Sequence, residues 1–420
     1  MIHKLTKEIS FFNSHPLGMR TLLLTNLIYG MVIPIIELFV GAYIMRNSND
    51  LALVVIFQLA VYTGIPLTFA INGWLLKYLP IARLYSFGML LSGISMTAMM
   101  LLPQLDTPGV FTAGLIMGLS YGFFWANRDF LALNTTRDGN RNYYYGIETF
   151  FYTTTGIFIP LLAGAFISAT DKNGWFGGNV NVAYYCLTAF VFALAALASV
   201  LVHRGQFQNP KRAPFLFFKF DRLWNKMLAL ASLKGVAQGY IVTAPTMLVL
   251  THIGKEGSLG LIQGIAAAMS AVLLYILGRV TFPRHRLSIY LAACLLFVLG
   301  ALFNAGLYSA TGVILFIVCL LFARPLLDIA YFSIQLKVID VVAAKEDRNA
   351  FAYILNHEFG LYVGRLFGCG LFILLARYMS DYVALRYALL VIAVMQFMGW
   401  FIMRSIFREP EMQKEEVIIH

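Results

Sequence analysis

Charge is scarce in this chain of 420 residues: Asp, Glu, Lys and Arg make up 12% of it, against about 25% in a soluble domain. Cysteine is scarce as well. Cys186, Cys294, Cys319 and Cys369 all fall in apolar runs with no CxxC spacing, which excludes a disulfide framework and a zinc site. No HExxH, GxSxG or GxxxxGK[ST] stretch occurs, so zinc-peptidase, serine-hydrolase and P-loop chemistry are excluded, and with them a primary ATP-driven pump in this chain. No cofactor and no metal is called for.

What fills the chain is hydrocarbon. Sixty per cent of the residues are hydrophobic and the mean hydropathy is +0.76. About 20 apolar residues span the hydrocarbon core of a bilayer as a helix. Twelve such runs can be drawn, at 19–45, 51–77, 84–103, 109–135, 143–169, 182–203, 227–251, 257–281, 287–307, 311–337, 350–376 and 383–404. The first has no small-residue cleavage site after it and reads as a retained helix rather than a signal peptide. One long polar loop, 204–226, separates the sixth run from the seventh. The expected organisation is a six-helix bundle at 1–203, a basic linker at 204–226, a second bundle at 227–404 and a tail at 405–420.

The formal net charge of +11 follows from topology, without nucleic acid. With the N-terminus in the cytoplasm, the cytoplasmic loops collect residues such as Lys77, Arg83, Arg137, Arg141, Lys211, Arg212, Arg284, Arg286, Lys345 and Arg348. The opposite loops hold only Arg46, Lys172, Lys255, Arg377 and Arg386. Such asymmetry places both termini in the cytoplasm, in a bacterial inner or plasma membrane, with the basic loops against anionic lipid.

The two halves also resemble one another. Leu79-Pro80-Ile81-Ala82-Arg83-Leu84 matches Phe282-Pro283-Arg284-His285-Arg286-Leu287, and Asn140-Arg141-Asn142 matches Asp347-Arg348-Asn349 at nearly the same offset. Both matches fall at cytoplasmic helix ends of the same direction, as in parallel repeats.

On these features the chain resembles the major facilitator superfamily over essentially its full length. In the loop between spans two and three, Gly73, Leu75 and Arg83 fit that family's signature, whereas Lys77 stands where an aspartate is usual and Pro80 replaces the second glycine. The resemblance implies an all-α integral membrane protein of twelve transmembrane helices as two six-helix bundles. It further implies that spans one, four, seven and ten line a central cavity, that spans two, five, eight and eleven join the halves, and that the rest are outer supports.

The ionisable residues inside spans fit that plan. Setting aside charges near span ends, such as Lys77 and Arg279, which can snorkel, they are Glu37, Arg128, Asp129, Glu148, Lys234, Arg324, Asp328, Glu358 and Arg365, with His357 beside the last pair; none of these falls in an outer-support span. A charge at mid-bilayer costs roughly 2.5–3.5 kcal/mol, so each must face protein or water. Arg324 and Asp328 lie four apart and are expected to pair on one helix face, and Glu358 and Arg365 share a face at seven. Arg128 and Asp129 are adjacent and point about 100° apart, so they are not expected to share a partner. Lys234 is expected to snorkel.

Glu358, His357, Glu148 and Glu37 are candidates for proton coupling, because a carboxylate whose cationic partner moves away gains and loses a proton. The competing reading for each is a static ion pair. Asn26, Glu37, Trp125, Arg324, Asp328, Tyr331 and Arg365 are candidates for the substrate cavity. Arg128, Asp129, Arg141 and Arg348 are candidates for gate or structural pairs. The function expected is secondary active transport of a small organic solute by alternating access, driven by protons and carried out by a monomer. A proton-driven exporter of drugs or metabolites is the nearest rival. A polytopic enzyme would need a catalytic constellation and a sensor would need an output domain; the sequence shows neither.

Overall fold

The computed structural model describes residues 10–136, 138–209, 217, 219–280, 285–348, 350–410 and 412. The described residues are largely helical: α1 (Leu17–Ser48), α2 (Leu51–Leu75), α3 (Ile81–Met100), α4 (Thr107–Thr135), α5 (Asp138–Asn173), α6 (Asn181–Val202), α7 (Arg222–Ile241, continued by Ala244–His252), α8 (Glu256–Val280), α9 (Arg286–Leu307), α10 (Ala310–Glu346), α11 (Ala350–Tyr378) and α12 (Asp381–Phe407). Among the described residues, eleven helical segments are long and apolar enough to cross a membrane. The remaining helix, α3, is 20 residues long and buries Ser86, Ser92 and Ser95. Those hydroxyls lower its hydropathy yet face protein, not lipid. α5 starts before its expected boundary and α10 runs on past residue 337.

Start signals fix several helices. The Asp50, Asp106 and Asp221 side chains accept hydrogen bonds from Ala52 N (2.9 Å), Gly109 N (2.9 Å) and Leu223 N (2.8 Å), satisfying donors that a helix N-terminus leaves free. Asp221 also accepts from Lys345 Nζ at 2.7 Å. Burial pushes its carboxyl pKa up, but the bonds from Lys345 and Leu223 outweigh that and hold it below the usual value.

Packing repeats with a shift of six helices. α1 packs on α5 and α6, α3 on α4 and α6, and α2 on α4. In the same way α7 packs on α11 and α12, α9 on α10 and α12, and α8 on α10. The first six helices meet the second six chiefly along α5–α8 and α2–α11. The α5–α8 crossing needs backbones in near contact. A Cβ on Gly164 would meet Glu256 O at 2.7 Å and Gly260 Cα at 3.1 Å. Small residues permit such approach where apolar driving force between helices is weak.

The outside of the bundle is apolar. Leu162 is 65% exposed and Phe367 66%, values that suit a lipid-facing surface and not one in water. The polar groups turn inward instead.

Candidate functional site

Between the two sets of helices lies a cavity of about 350 Å³. α1 contributes Ile33, Ile36 and Glu37; α2 contributes Gln58 and Tyr62; α4 contributes Tyr121 and Trp125. From the second half come Lys234, Gln238, Ile241 and Val242 of α7, Arg324, Asp328, Tyr331 and Phe332 of α10, and Arg365 of α11. A second space of about 360 Å³ adjoins it, bounded by Pro34, Gly156, Gln263, Ser270 and Pro325. Both spaces are lined by Glu37, Arg324 and Asp328. The cavity therefore draws on α2 and α11 as well as on the four helices the family plan implied, and Tyr290 of α9 and Gln396 of α12 reach it from helices expected to be outer supports.

Local breaks open this region. α7 is interrupted after Ile241, and Pro245 in its continuation has no amide to give back to the Ile241 carbonyl. Pro34 in α1 and Pro325 in α10 act likewise beside Glu37 and Arg324.

The charges divide into two ion pairs and two groups, Glu37 and Arg324, that have no direct bond but are near enough to act on one another across the cavity. Lys234 Nζ lies 2.7 Å from Asp328 Oδ1 and stands over the rings of Phe332 (3.9 Å) and Tyr331 (4.2 Å), a favourable place for an ammonium. The expected Arg324–Asp328 pair does not form, because the buried lysine has taken the aspartate; for the same reason Lys234 does not snorkel. Arg365 Nη1 reaches Glu358 Oε2 at 3.3 Å, as the seven-residue spacing suggested. Its Nε and Nη2 donate to Gln238 Oε1 at 3.1 and 2.9 Å, and its guanidinium lies 4.7 Å from the Tyr62 ring of α2. Tyr62 Oη in turn donates to Gln238 O at 3.0 Å. Glu37 and Arg324 are both exposed to the cavity, and neither has a hydrogen bond or ion pair among the described residues. His357 lies behind the cavity wall, its Nε2 sharing a hydrogen with Tyr331 Oη at 2.5 Å.

Asn26 and Glu148 belong elsewhere. Glu148 is buried, and its Oε1 accepts from Asn26 Nδ2 (2.6 Å), Tyr144 Oη (2.9 Å) and Arg128 Nε (2.9 Å). Arg128 Nη2 holds the other oxygen. Tyr85 Oη closes the network on Asn26 Oδ1 at 2.5 Å. Fully buried and fully bonded, Asn26 lines neither of the two spaces. Arg128 also reaches Asp129, Nη1 to Oδ1 at 2.6 Å; its long side chain bridges two carboxylates that the backbone directs apart. Arg348 docks within the second half, donating to Lys219 O at 2.6 Å and lying 3.2 Å from Glu346. The Arg141 side chain lies outside the described residues.

Ion pairs between the two halves cluster at the end opposite the termini. Arg46 of α1 meets Glu256 of α8 through two bonds, Nε to Oε1 at 2.7 Å and Nη2 to Oε2 at 2.8 Å, and Tyr184 Oη donates to the same Oε1 at 2.7 Å. Lys255 pairs with Asp171, and Arg377 with Asp50 at 2.8 Å. At the other end, the ion pairs Arg128–Glu148, Lys226–Glu409, Lys345–Asp221 and Arg348–Glu346 each stay within one half. Sequence reasoning missed Arg46 and Glu256 as partners, and missed Gln58, Tyr62, Tyr121 and Gln238 as lining. Gln58/Tyr62 and Lys234/Gln238 are each four apart, a polar stripe within an apolar helix, which was the available signal.

Two parallel six-helix sets around a charged central cavity, joined at one end by ion pairs that cross between them, have the architecture of a secondary transporter. The chain belongs to the Major Facilitator Superfamily, whose family model matches residues 21–368. It is 23% identical over 408 residues to the uncharacterized protein YqgE of Bacillus subtilis (strain 168), covering 95% of this chain and 92% of that one. Among solved structures it is similar to the nucleoside transporter NupG, with a TM-score of 0.67 at 13% identity, covering 93% of this chain and 99% of that one. A POT family transporter in complex with 5-aminolevulinic acid gives a TM-score of 0.69 at 12% identity, over 94% of this chain and 97% of that one. At such identities the likeness shows the fold alone.

Proposed function

We propose that this superfamily transporter moves a small polar organic solute in a proton-coupled cycle, with residues 1–203 and 227–404 rocking as two bundles about the central cavity. The observation that carries the reading is the cavity itself. It is built from both halves, it holds ionisable groups of both signs, and inter-half ion pairs shut one end of it. Breaking Arg46–Glu256, Lys255–Asp171 and Arg377–Asp50 opens that end, which the loop charges assign to the outer face. In this reading the state described is the one closed outward.

Glu358 is the proton carrier in this reading. Its bond to Arg365 is single and 3.3 Å long, while Arg365 is held twice by Gln238. Protonating Glu358 frees Arg365 from the carboxylate, so that its guanidinium can shift on Gln238 and over Tyr62. Because Tyr62 belongs to the other half, a proton on α11 changes a contact between the bundles. Glu148, bound by Arg128 and by two further donors, Asn26 and Tyr144, serves as a static lock on the first bundle.

NupG is a nucleoside transporter and the POT family structure holds 5-aminolevulinic acid; both are small polar organic molecules, which supports the class. The test is uptake of a panel of labelled amino acids, short peptides and nucleosides into proteoliposomes under an imposed proton gradient. The gradient direction that accumulates solute separates import from export. Glu358→Gln is expected to abolish gradient-driven accumulation while sparing solute exchange at equal pH. Gradient-driven accumulation by Glu358→Gln at the wild-type level would remove Glu358 from the carrier role.

A further inference from the structure

The charge balance in the cavity identifies a substrate chemistry. Lys234 is neutralised by Asp328 at 2.7 Å and Arg365 by Glu358 at 3.3 Å. What remains is one carboxylate on α1, Glu37, and one guanidinium on α10, Arg324. Both are exposed to the cavity, and both line the two adjoining spaces. An unpaired charge inside a membrane protein is costly and persists where it meets water or a ligand. The two come from opposite bundles, so a solute that engages both bridges the halves.

We infer that the transported solute is a small zwitterion, with its ammonium on Glu37 and its carboxylate on Arg324. A guanidinium takes a carboxylate through two parallel bonds, and Pro325 beside it loosens the local helix. A carboxylate accepts from an ammonium without needing a fixed geometry. Such a solute enters and leaves a net-neutral site without adding net charge to it. A purely anionic solute would leave Glu37 unpaired in the closed cavity, and a purely cationic one would leave Arg324 so. Trp125 and Tyr121 from one bundle and Tyr331 and Phe332 from the other wall the same space, which suits a short apolar or aromatic body between the two charged ends. The volume of about 350 Å³ is at the low end of the range for small-molecule sites.

This inference rests on the transport reading, but its test is binding and needs no flux. Purified protein in detergent is titrated by calorimetry and thermal shift with three matched sets: free amino acids and dipeptides carrying Ala, Leu and Phe side chains, their N-acetyl derivatives, and their carboxamides. At least one zwitterion is expected to bind, and its N-acetyl and carboxamide counterparts to bind more than tenfold more weakly. Glu37→Gln is expected to erase the preference over the N-acetyl form, and Arg324→Gln the preference over the carboxamide. Each comparison is a ratio within one variant, so a general loss of folding does not mimic it, and the wild-type panel decides even if both variants misfold. Binding of an N-acetyl or carboxamide compound as tightly as its zwitterion, or no zwitterion binding at all, would overturn the inference. Zwitterion binding without any flux would leave it standing and sink the transport cycle instead.

Discussion

Arg46 and Glu256 join the two halves of the protein by a two-pronged bond, 2.7 and 2.8 Å, at the end farthest from the termini. Glu256 is almost fully enclosed, with 4% of its side chain exposed, whereas Arg46 retains 27%. The pair therefore has one desolvated partner, and in the proposed cycle it breaks when that end opens. Hydrogen bonds to charged groups contribute about 1.5–3 kcal/mol each, and tenfold in population corresponds to about 1.4 kcal/mol. Arg46→Ala is thus expected to raise the outward-open population at least tenfold. A membrane-impermeant maleimide added from that side, reacting with Gln58→Cys in a cysteine-free background, reads the change as a faster labelling rate.

The α5–α8 crossing gives an independent handle on the same end. Gly164→Ala introduces a Cβ within 2.7 Å of Glu256 O and 3.1 Å of Gly260 Cα, backbone atoms that move only if the helices part. The expected effect has the sign of Arg46→Ala: faster labelling of the cavity cysteine from the far side. Unchanged labelling would place the closure elsewhere than at α5–α8.

Lys234 is buried, whereas the side chain of its partner Asp328 stays 38% exposed to the cavity. Removing Asp328 leaves a buried ammonium uncompensated, at about 3–5 kcal/mol, while removing Lys234 leaves a carboxylate that still meets the cavity. Asp328→Leu should lower the melting temperature by several degrees and abolish solute binding. The double variant Lys234→Met/Asp328→Leu should recover most of the stability, since apolar replacement of a buried pair is often neutral, and should not recover binding. Thermal unfolding in detergent with parallel titration checks both.

Much of the fold could be read along the chain, because a bilayer demands about 20 apolar residues per crossing and the charged loops interrupt them plainly. Partners of the inward charges could not. Spacing along one helix correctly brought Glu358 to Arg365, but it also suggested Arg324 for Asp328. The competitor for Asp328 sits on α7, at a sequence distance of 94, and no local pattern reveals which helix faces meet. Asn26 has helical spacing with Glu37, yet the bend region at Pro34 lies between them, and Asn26 is fully spent on Glu148, Tyr144 and Tyr85. Arg46 looked like a topology charge in an outer loop; only the approach of α8 pairs it with Glu256.

Glu148 illustrates the division between lock and carrier. Glu148→Gln removes the charge that Arg128 and Asn26 are built around, so it should cost about 3 kcal/mol or more of stability and lower the melting temperature. The pH dependence of transport by the molecules that fold should keep the wild-type midpoint, whereas Glu358→Gln should flatten the profile. A flattened profile in Glu148→Gln with a normal one in Glu358→Gln would reverse the two roles.

The most direct test of alternating access is a pair of distances measured in lipid. Spin labels at Asn173→Cys and Thr251→Cys report the far end, and labels at Tyr78→Cys and Ala344→Cys the end near the termini. Distances taken by double electron–electron resonance in liposomes, with and without Arg46→Ala, should show two populations that move in opposite senses: the far-end distance lengthens as the other shortens. One unchanging distance at each end, or two that lengthen together, would contradict the account.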